Sequence, residues 1–241
     1  MRLSARWKLL RAGALVAAAA LAGCPVRAPG PTPHPAAMPP PAARLGTPYA
    51  IDPGQSQLLV LVYRGGALAS AGHNHLIASH DLGGTIYVPE DPLQASFELT
   101  VPMTSFTVDE ESLRAAEHSA DFPPGIPDSA RAGTRQHMLG ADQLDAEHSP
   151  QIILRALQLE AARPAAPGML LAHVQVSLRG GEHPLAVPVH YERAGDTVVA
   201  SGELPLRQSE LGITPYSAML GALQVQDELR VKFRLVARAA H

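Results

Sequence analysis

The sequence of 241 residues contains one cysteine, Cys24. A single thiol excludes a disulfide framework within the chain and any multi-cysteine zinc or iron–sulfur site. Aromatic residues make up only 4% of the chain. No G-x-S-x-G nucleophile elbow, P-loop or H-E-x-x-H motif occurs, and Gly65-Gly66 and Gly180-Gly181 read as short turns rather than phosphate cradles. Catalysis is therefore not expected. Acidic residues are missing from the first 48 positions, so all 22 fall in the remainder, against 13 Lys and Arg there, a net charge of -9. So acidic a domain has no electrostatic footprint for nucleic acid and is not built to sit directly on anionic lipid. No repeat, coiled-coil heptad or second linker is visible. With 46% hydrophobic residues the chain is not disordered, and one folded domain is the simplest organisation.

The N-terminus carries Arg2, Arg6, Lys8 and Arg11, followed by an uncharged run over 12–22, AGALVAAAALA. A membrane span needs roughly 20 apolar residues, so this run is too short to cross and suits a secretory signal peptide. It ends Leu21-Ala22-Gly23-Cys24, which resembles the lipobox of bacterial lipoproteins. That resemblance implies cleavage before Cys24 and two or three acyl chains on its thiol, enough for stable anchoring where one chain is marginal. Pro25 stands where an Asp would mark inner-membrane retention, which points to the outer membrane of the cell envelope, facing the periplasm. Over 25–48, nine of 24 residues are Pro and five are Ala. Such a stretch buries no core and reads as an extended, polyproline-II-like tether of up to about 70 Å. The organisation is then signal 1–23, lipidated tether 24–48 and folded domain 49–241.

Within 49–241 the dominant hydrophobic period is two. Strands are expected at 57–63 (QLLVLVY), apolar on both faces and so covered on both sides, and at 85–88 after the Gly83-Gly84 turn or bulge. Further strands are expected at 95–101, 152–159, 169–178, 185–191, 197–206 and 229–237. Residues 169–191 form a hairpin through Gly180-Gly181. Pro188 and Pro205 suggest edge positions or strand ends. Helices are predicted over 109–117, with acids at its start, and over 128–139 after the breaker Pro123-Pro124. Residues 142–149 form a turn. Eight or so antiparallel strands with two helices in one connection make a closed barrel or a sandwich.

Several segments, in order, carry a family resemblance. They are Tyr49-Ala50-Ile51-Asp52-Pro53 with Ser56; Leu144-Asp145 with Ser149-Pro150-Gln151-Ile152, where Ser149 replaces the usual aromatic; Gly202-Glu203-Leu204 with Ser209-Glu210-Leu211-Gly212-Ile213; and Asp227-Glu228-Leu229-Arg230-Val231. Together they resemble the YceI-like, lipocalin-like family of bacterial envelope proteins over nearly all of 49–241. The resemblance implies an all-β fold, an extended eight-stranded antiparallel barrel with a hydrophobic interior. It also implies a long polyisoprenoid, quinone or similar apolar amphiphile held there without turnover, and no cofactor beyond such a lipid. Alternation and the family's apolar face together nominate the inward, lipid-contacting side chains. On the first and third strands these are Leu58, Val60, Val62, Phe97, Leu99 and Val101. The middle strands add Ile152, Leu154, Val174 and Val176, and the later ones Leu185, Val187, Val231 and Phe233. Each of them could equally well be ordinary core.

The segment Gly72-His73-Asn74-His75 departs from the better-known relatives and marks a branch of the family. Spacing i, i+2 on a strand puts His73 and His75 on one face. Three readings stay open: half of a Zn²⁺ or Cu²⁺ site in a metal-binding or redox-accessory protein, histidines closing a barrel rim, or contact with a ligand head. A metal would need partners such as His137, His148 or Asp81, since His80 falls on the opposite face unless a bulge intervenes. A structural or stress-response component without ligand is the remaining alternative. Arg207, beside the G-I segment, is placed on the rim.

Overall fold

The computed structural model describes residues 40–163 and 166–240. The signal segment, Cys24 and most of the proline-rich tether lie outside the described residues. The alternating stretches form β1 (Thr47–Ile51), β2 (Gln57–Val62), β3 (Arg64–Gly65), β4 (His75–Ser79), β5 (Gly83–Val88), β6 (Ser96–Pro102) and β7 (Thr107–Val108). Two helices follow, α1 (Glu111–Ala116) and α2 (Asp128–Leu139). Then come β8 (Gln151–Ala161), β9 (Met169–Leu178), β10 (Gly181–Ala194), β11 (Thr197–Arg207), β12 (Ser217–Ala218), β13 (Leu223–Val225) and β14 (Glu228–Ala239).

Antiparallel pairing runs β1-β5-β6-β8-β9-β10-β11-β14, and β14 returns to β1, so eight strands close into a barrel. The first three walls are each broken in two. β2 pairs with β4 and β4 with β7, continuing the walls begun by β1, β5 and β6. β14 therefore offers one edge to two strands, Ala237 and Ala239 to β1, and its stretch 230–234 to β2. The buried Ser56 side chain bridges the break: its hydroxyl accepts from Val236 N at 2.9 Å, while Asp52 N donates to Val236 O at 2.8 Å. The Asp and Ser of the opening motif thus replace ladder bonds at a kink, where an unpaired buried backbone group would be costly.

β9 alternates as drawn from sequence, with Leu170, Ala172, Val174, Val176 and Leu178 buried inward. Its hairpin to β10 turns on Arg179 (φ 52) and Gly180 (φ 72), one residue earlier than the Gly180-Gly181 pair suggested. Two successive left-handed residues make the type I′ geometry that matches strand twist. Pro188 is not at a strand end; it sits in the middle of β10, at a position that is locally an edge. Its tolerance is local. The β10–β11 ladder runs only from Ala194↔Thr197 to His190↔Ser201, so the N-terminal half of β10, with Pro184 and Pro188, lacks ladder partners on that side. Pro205 faces the same unzipped stretch from β11, whose ladder to β14 continues past it.

β2 is covered on both faces, as its all-apolar sequence requires. Leu58, Val60 and Val62 turn inward, while Leu61 (2% exposed) packs outward with Leu76 and Phe122, flanked by Leu113 of α1. Burying one such side chain stabilises by about 1.5–3 kcal/mol. α2 keeps the expected bounds. α1 begins later than expected, at Glu111 rather than Asp109, because Asp109 is left-handed (φ 54) and fully buried.

Candidate functional site

The inward faces of the barrel strands enclose a cavity of about 690 Å³. Its wall is mostly aliphatic along β2, β5, β6 and β8 to β11, with Phe97 and Tyr191 among it, and α2 contributes Ala130, Gly133, Thr134, His137 and Met138 at one end. These positions follow i, i+3/i+4, i+7/i+8, one face of a helix. The cavity's exposed lining residues are Arg64, Ala71, His73, His137 and Gln224, and all lie at that same end. The mouth is therefore the polar end, formed by the segment after β2, by α2 and by the small β12-β13-β3 sheet.

One buried network anchors this mouth. Asp109, with no exposed side-chain surface, lies 2.6 Å (Oδ2) from His75 Nδ1. Its Oδ1 accepts from Leu76 N at 2.8 Å and from Arg114 Nη1 at 2.5 Å. The Arg114 guanidinium is equally buried and also donates to Asn74 O (3.0 Å) and Pro123 O (2.8 Å). Burial alone would raise the Asp109 pKa, but the hydrogen bonds from His75 and Leu76 and the His75 and Arg114 charges outweigh it and hold the carboxyl below the usual range. His75 Nδ1 donates to the ionised Asp109, and its Nε2 lies 3.2 Å from Thr134 Oγ1, so the ring is held from both sides.

A sequence model of the YceI-like domain matches residues 49–237. The chain belongs to the YceI-like family. Among solved structures, BcnA of Burkholderia cenocepacia is similar, with 19% identity, 78% of this chain and 99% of that one covered, and a TM-score of 0.55. A polyisoprenoid-binding domain from Saccharophagus degradans, implicated in plant cell wall breakdown, is similar at 12% identity, 80% and 98% coverage and a TM-score of 0.52. At these identities both likenesses speak for the fold. Comparison with curated proteins returned no match.

On this YceI-like barrel the structure brings all the nominated wall residues to one cavity. Leu58, Val60 and Val62 line it from β2, and Phe97, Leu99 and Val101 from β6. Ile152, Leu154, Val174 and Val176 do so from β8 and β9, and Leu185, Val187, Val231 and Phe233 from β10 and β14. Reasoning from strand alternation missed Thr134 and His137 of α2, and Leu211, Ile213, Tyr216 and Leu223 beyond β11. The helical spacing of Ala130, Thr134, His137 and Met138 was a usable signal, blurred because two of the four are polar.

His73 and His75 both line the mouth, with ring centroids 6.2 Å apart, but only His75 lies on a strand. Of the proposed metal partners, His137 lines the same mouth while Asp81 and His148 are not on the cavity wall. His137 packs on Tyr216 (4.9 Å between centroids), and His148 bonds Asp145 at 2.9 Å. His80 bonds Glu110 at 3.1 Å. Among the described residues no group of three or more His, Cys, Asp or Glu is placed to hold a metal ion. Arg207 is exposed at the end of β11.

Proposed function

We propose that this YceI-like protein shelters one long apolar lipid, a polyisoprenoid, quinone or similar amphiphile, inside its barrel and does no chemistry on it. The observation that carries this reading is the closed barrel around about 690 Å³ of mostly apolar space that opens beside α2. Small-molecule pockets run about 300–1,000 Å³ and combine apolar walls with a few convergent polar groups. Each buried CH₂ contributes about 0.8 kcal/mol. About twenty carbons therefore outweigh even the upper figure of about 15 kcal/mol for association. The polyisoprenoid-binding domain of similar fold supports the lipid class.

The lipobox-like Leu21-Ala22-Gly23-Cys24 supports a membrane tether through an acylated Cys24, with the barrel facing the periplasm from the outer membrane. Two experiments test the proposal. Protein purified from its native envelope and extracted with organic solvent should yield a stoichiometric isoprenoid-type lipid by mass spectrometry; repeated recovery of lipid-free barrel refutes the carrier reading. Fatty-acid labelling that persists in Cys24→Ala refutes the anchor.

A further inference from the structure

We infer that an uncharged lobe beside the cavity mouth docks on a bilayer of zwitterionic lipid and so turns the mouth toward the membrane. The docking goes beyond the lipid-carrier reading; the passage of cargo through the docked mouth rests on it.

Two segments build the lobe, 65–72 and 211–226. Neither contains Asp, Glu, Lys, Arg or His, although 49–241 carries 22 acids and 13 Lys and Arg. They are joined by the pairing of β13 with β12 and β3, and by Leu68 N donating to Ala222 O at 2.8 Å. Ala71, Gly72, Tyr216 and Leu223 of the same segments line the cavity, so the lobe stands at its mouth. Of the five large hydrophobic side chains exposed among the described residues, Leu68, Met219 and Leu220 belong to it. Met219 is 70% exposed and Leu220 110%. Both are left-handed, at φ 51 and φ 56, in the turn between β12 and β13. Such a conformation is uncommon for bulky side chains and usual for Asn or Gly. Here it presents Met and Leu to the outside.

Exposed apolar patches mark protein or membrane contacts. Protein interfaces are anchored by aromatic and Arg side chains and by directional hydrogen bonds. No charged or aromatic side chain is exposed in either segment, so the lobe lacks such anchors. A fluid apolar layer requires none. The charge pattern selects the lipid. A domain of net charge -9 is repelled by an anionic surface, whereas the lobe enters a neutral interface without stripping water from an ion. Reach is sufficient as well. The tether 24–48 extends up to about 70 Å, against about 40 Å for the twelve residues of β14, so a chain held at Cys24 is long enough for the mouth to meet the bilayer.

The only Trp of the chain is Trp7, in the signal segment, so a single reporter can be placed at will. The full chain carrying Trp7→Phe with Leu220→Trp, and a second chain carrying Trp7→Phe with Leu93→Trp, are mixed with phosphatidylcholine vesicles whose acyl chains are brominated. Leu93 is also exposed but lies between β5 and β6, outside the lobe. The Trp at 220 should shift to the blue and be quenched, while the Trp at 93 stays unquenched, whatever holds the chain at the vesicle. Equal quenching of both, or of neither, overturns the docking. So does stronger quenching at 220 in phosphatidylglycerol vesicles, where charge would be setting the contact. A blue shift at 220 without vesicles that grows with protein concentration assigns the lobe to a second copy and overturns it too. Met219→Asn with Leu220→Asn keeps residues at ease at positive φ, so folding is preserved. Uptake of a fluorescent isoprenoid from vesicles should slow at least about tenfold in this variant, the worth of burying one Leu side chain. Unchanged uptake overturns the link between docking and the mouth. No uptake by the wild type, with the quenching pattern kept, refutes the carrier reading and leaves the docking in place.

Discussion

Asp109→Asn isolates the charge that organises the mouth. Asp109 and Arg114 have no exposed side-chain surface, and Asp109 accepts from His75, Leu76 N and Arg114 at once. Asn keeps an acceptor for Leu76 N and is among the few residues at ease at φ 54, so backbone strain does not confuse the result. What it removes is the negative charge opposite a buried guanidinium. Breaking a buried pair by deleting one partner costs about 3–5 kcal/mol. Arg114 keeps the carbonyls of Asn74 and Pro123, so the low end, about 3 kcal/mol, is expected. That is a large share of a net stability of about 5–15 kcal/mol. Urea unfolding at pH 7 should show it as a lower midpoint with unchanged slope, and the Tm should fall by about 6–12 °C for a domain of this size. The pH dependence gives a second check. Asp109 has a folded pKa below its unfolded one, so its contribution is present above the unfolded value of about 3.9 and is lost as pH falls through the folded value. Wild type and Asp109→Asn should therefore converge in stability only in acid below about pH 3.9. A difference under about 1 kcal/mol at pH 7, or one that grows on acidification, refutes the reasoning.

Ser56→Ala leaves the buried Val236 N–H without its 2.9 Å acceptor at the β1–β2 break, and should lower stability by about 1–3 kcal/mol in denaturant titration. Val176→Trp places an indole in the middle of the cavity: lipid recovered with the protein should fall sharply while Tm changes little, whereas a large drop in Tm with lipid retained would mean that the space is not free to accept a side chain. Gly180→Val forces a β-branched residue to φ 72 with nothing within 4 Å of the new Cβ, so its cost, about 1–2 kcal/mol in thermal melts, is purely backbone, and Gly180→Asn should recover most of it.

The parts of this fold that could be read in advance are those fixed by local period. β9 and α2 have the bounds expected from their patterns, and the alternate residues of β2, β6, β9 and β14 that were nominated as inward stand on the cavity wall. What could not be read depends on partners distant in sequence. Asp109 looks like the first residue of a helix because acids favour that position. Its conformation is instead decided by Leu76 N, 33 residues away, and by Arg114 from the helix itself. Pro188 looks like a strand end, yet is accommodated because β10 and β11 part beyond His190. The histidine pair was legible as a pair but not as a hydrogen-bonded relay, since Asp109 and Thr134 reach His75 from separate elements.

Eight strands is the number at which side-chain size decides whether a barrel is a filled core or a container. Here the wall of β9 is Leu170, Ala172, Val174, Val176 and Leu178, and the other strands add mostly Val and Leu with Phe97, Phe233 and Tyr191, around an unfilled space. Of the four Phe, five Tyr and one Trp in the chain, Phe97, Phe106, Phe233, Tyr63, Tyr191 and Tyr216 stand on this wall and still leave the space open. A sealed dry void costs about 24 cal/mol per Å³ on the scale of core deletions. Were its mouth shut over an empty interior, a space of 690 Å³ would cost about 17 kcal/mol, more than a domain's usual net stability. A barrel of short aliphatic side chains around such a space is thus poorly explained as a self-sufficient core. It is well explained if an oily occupant supplies the missing contacts.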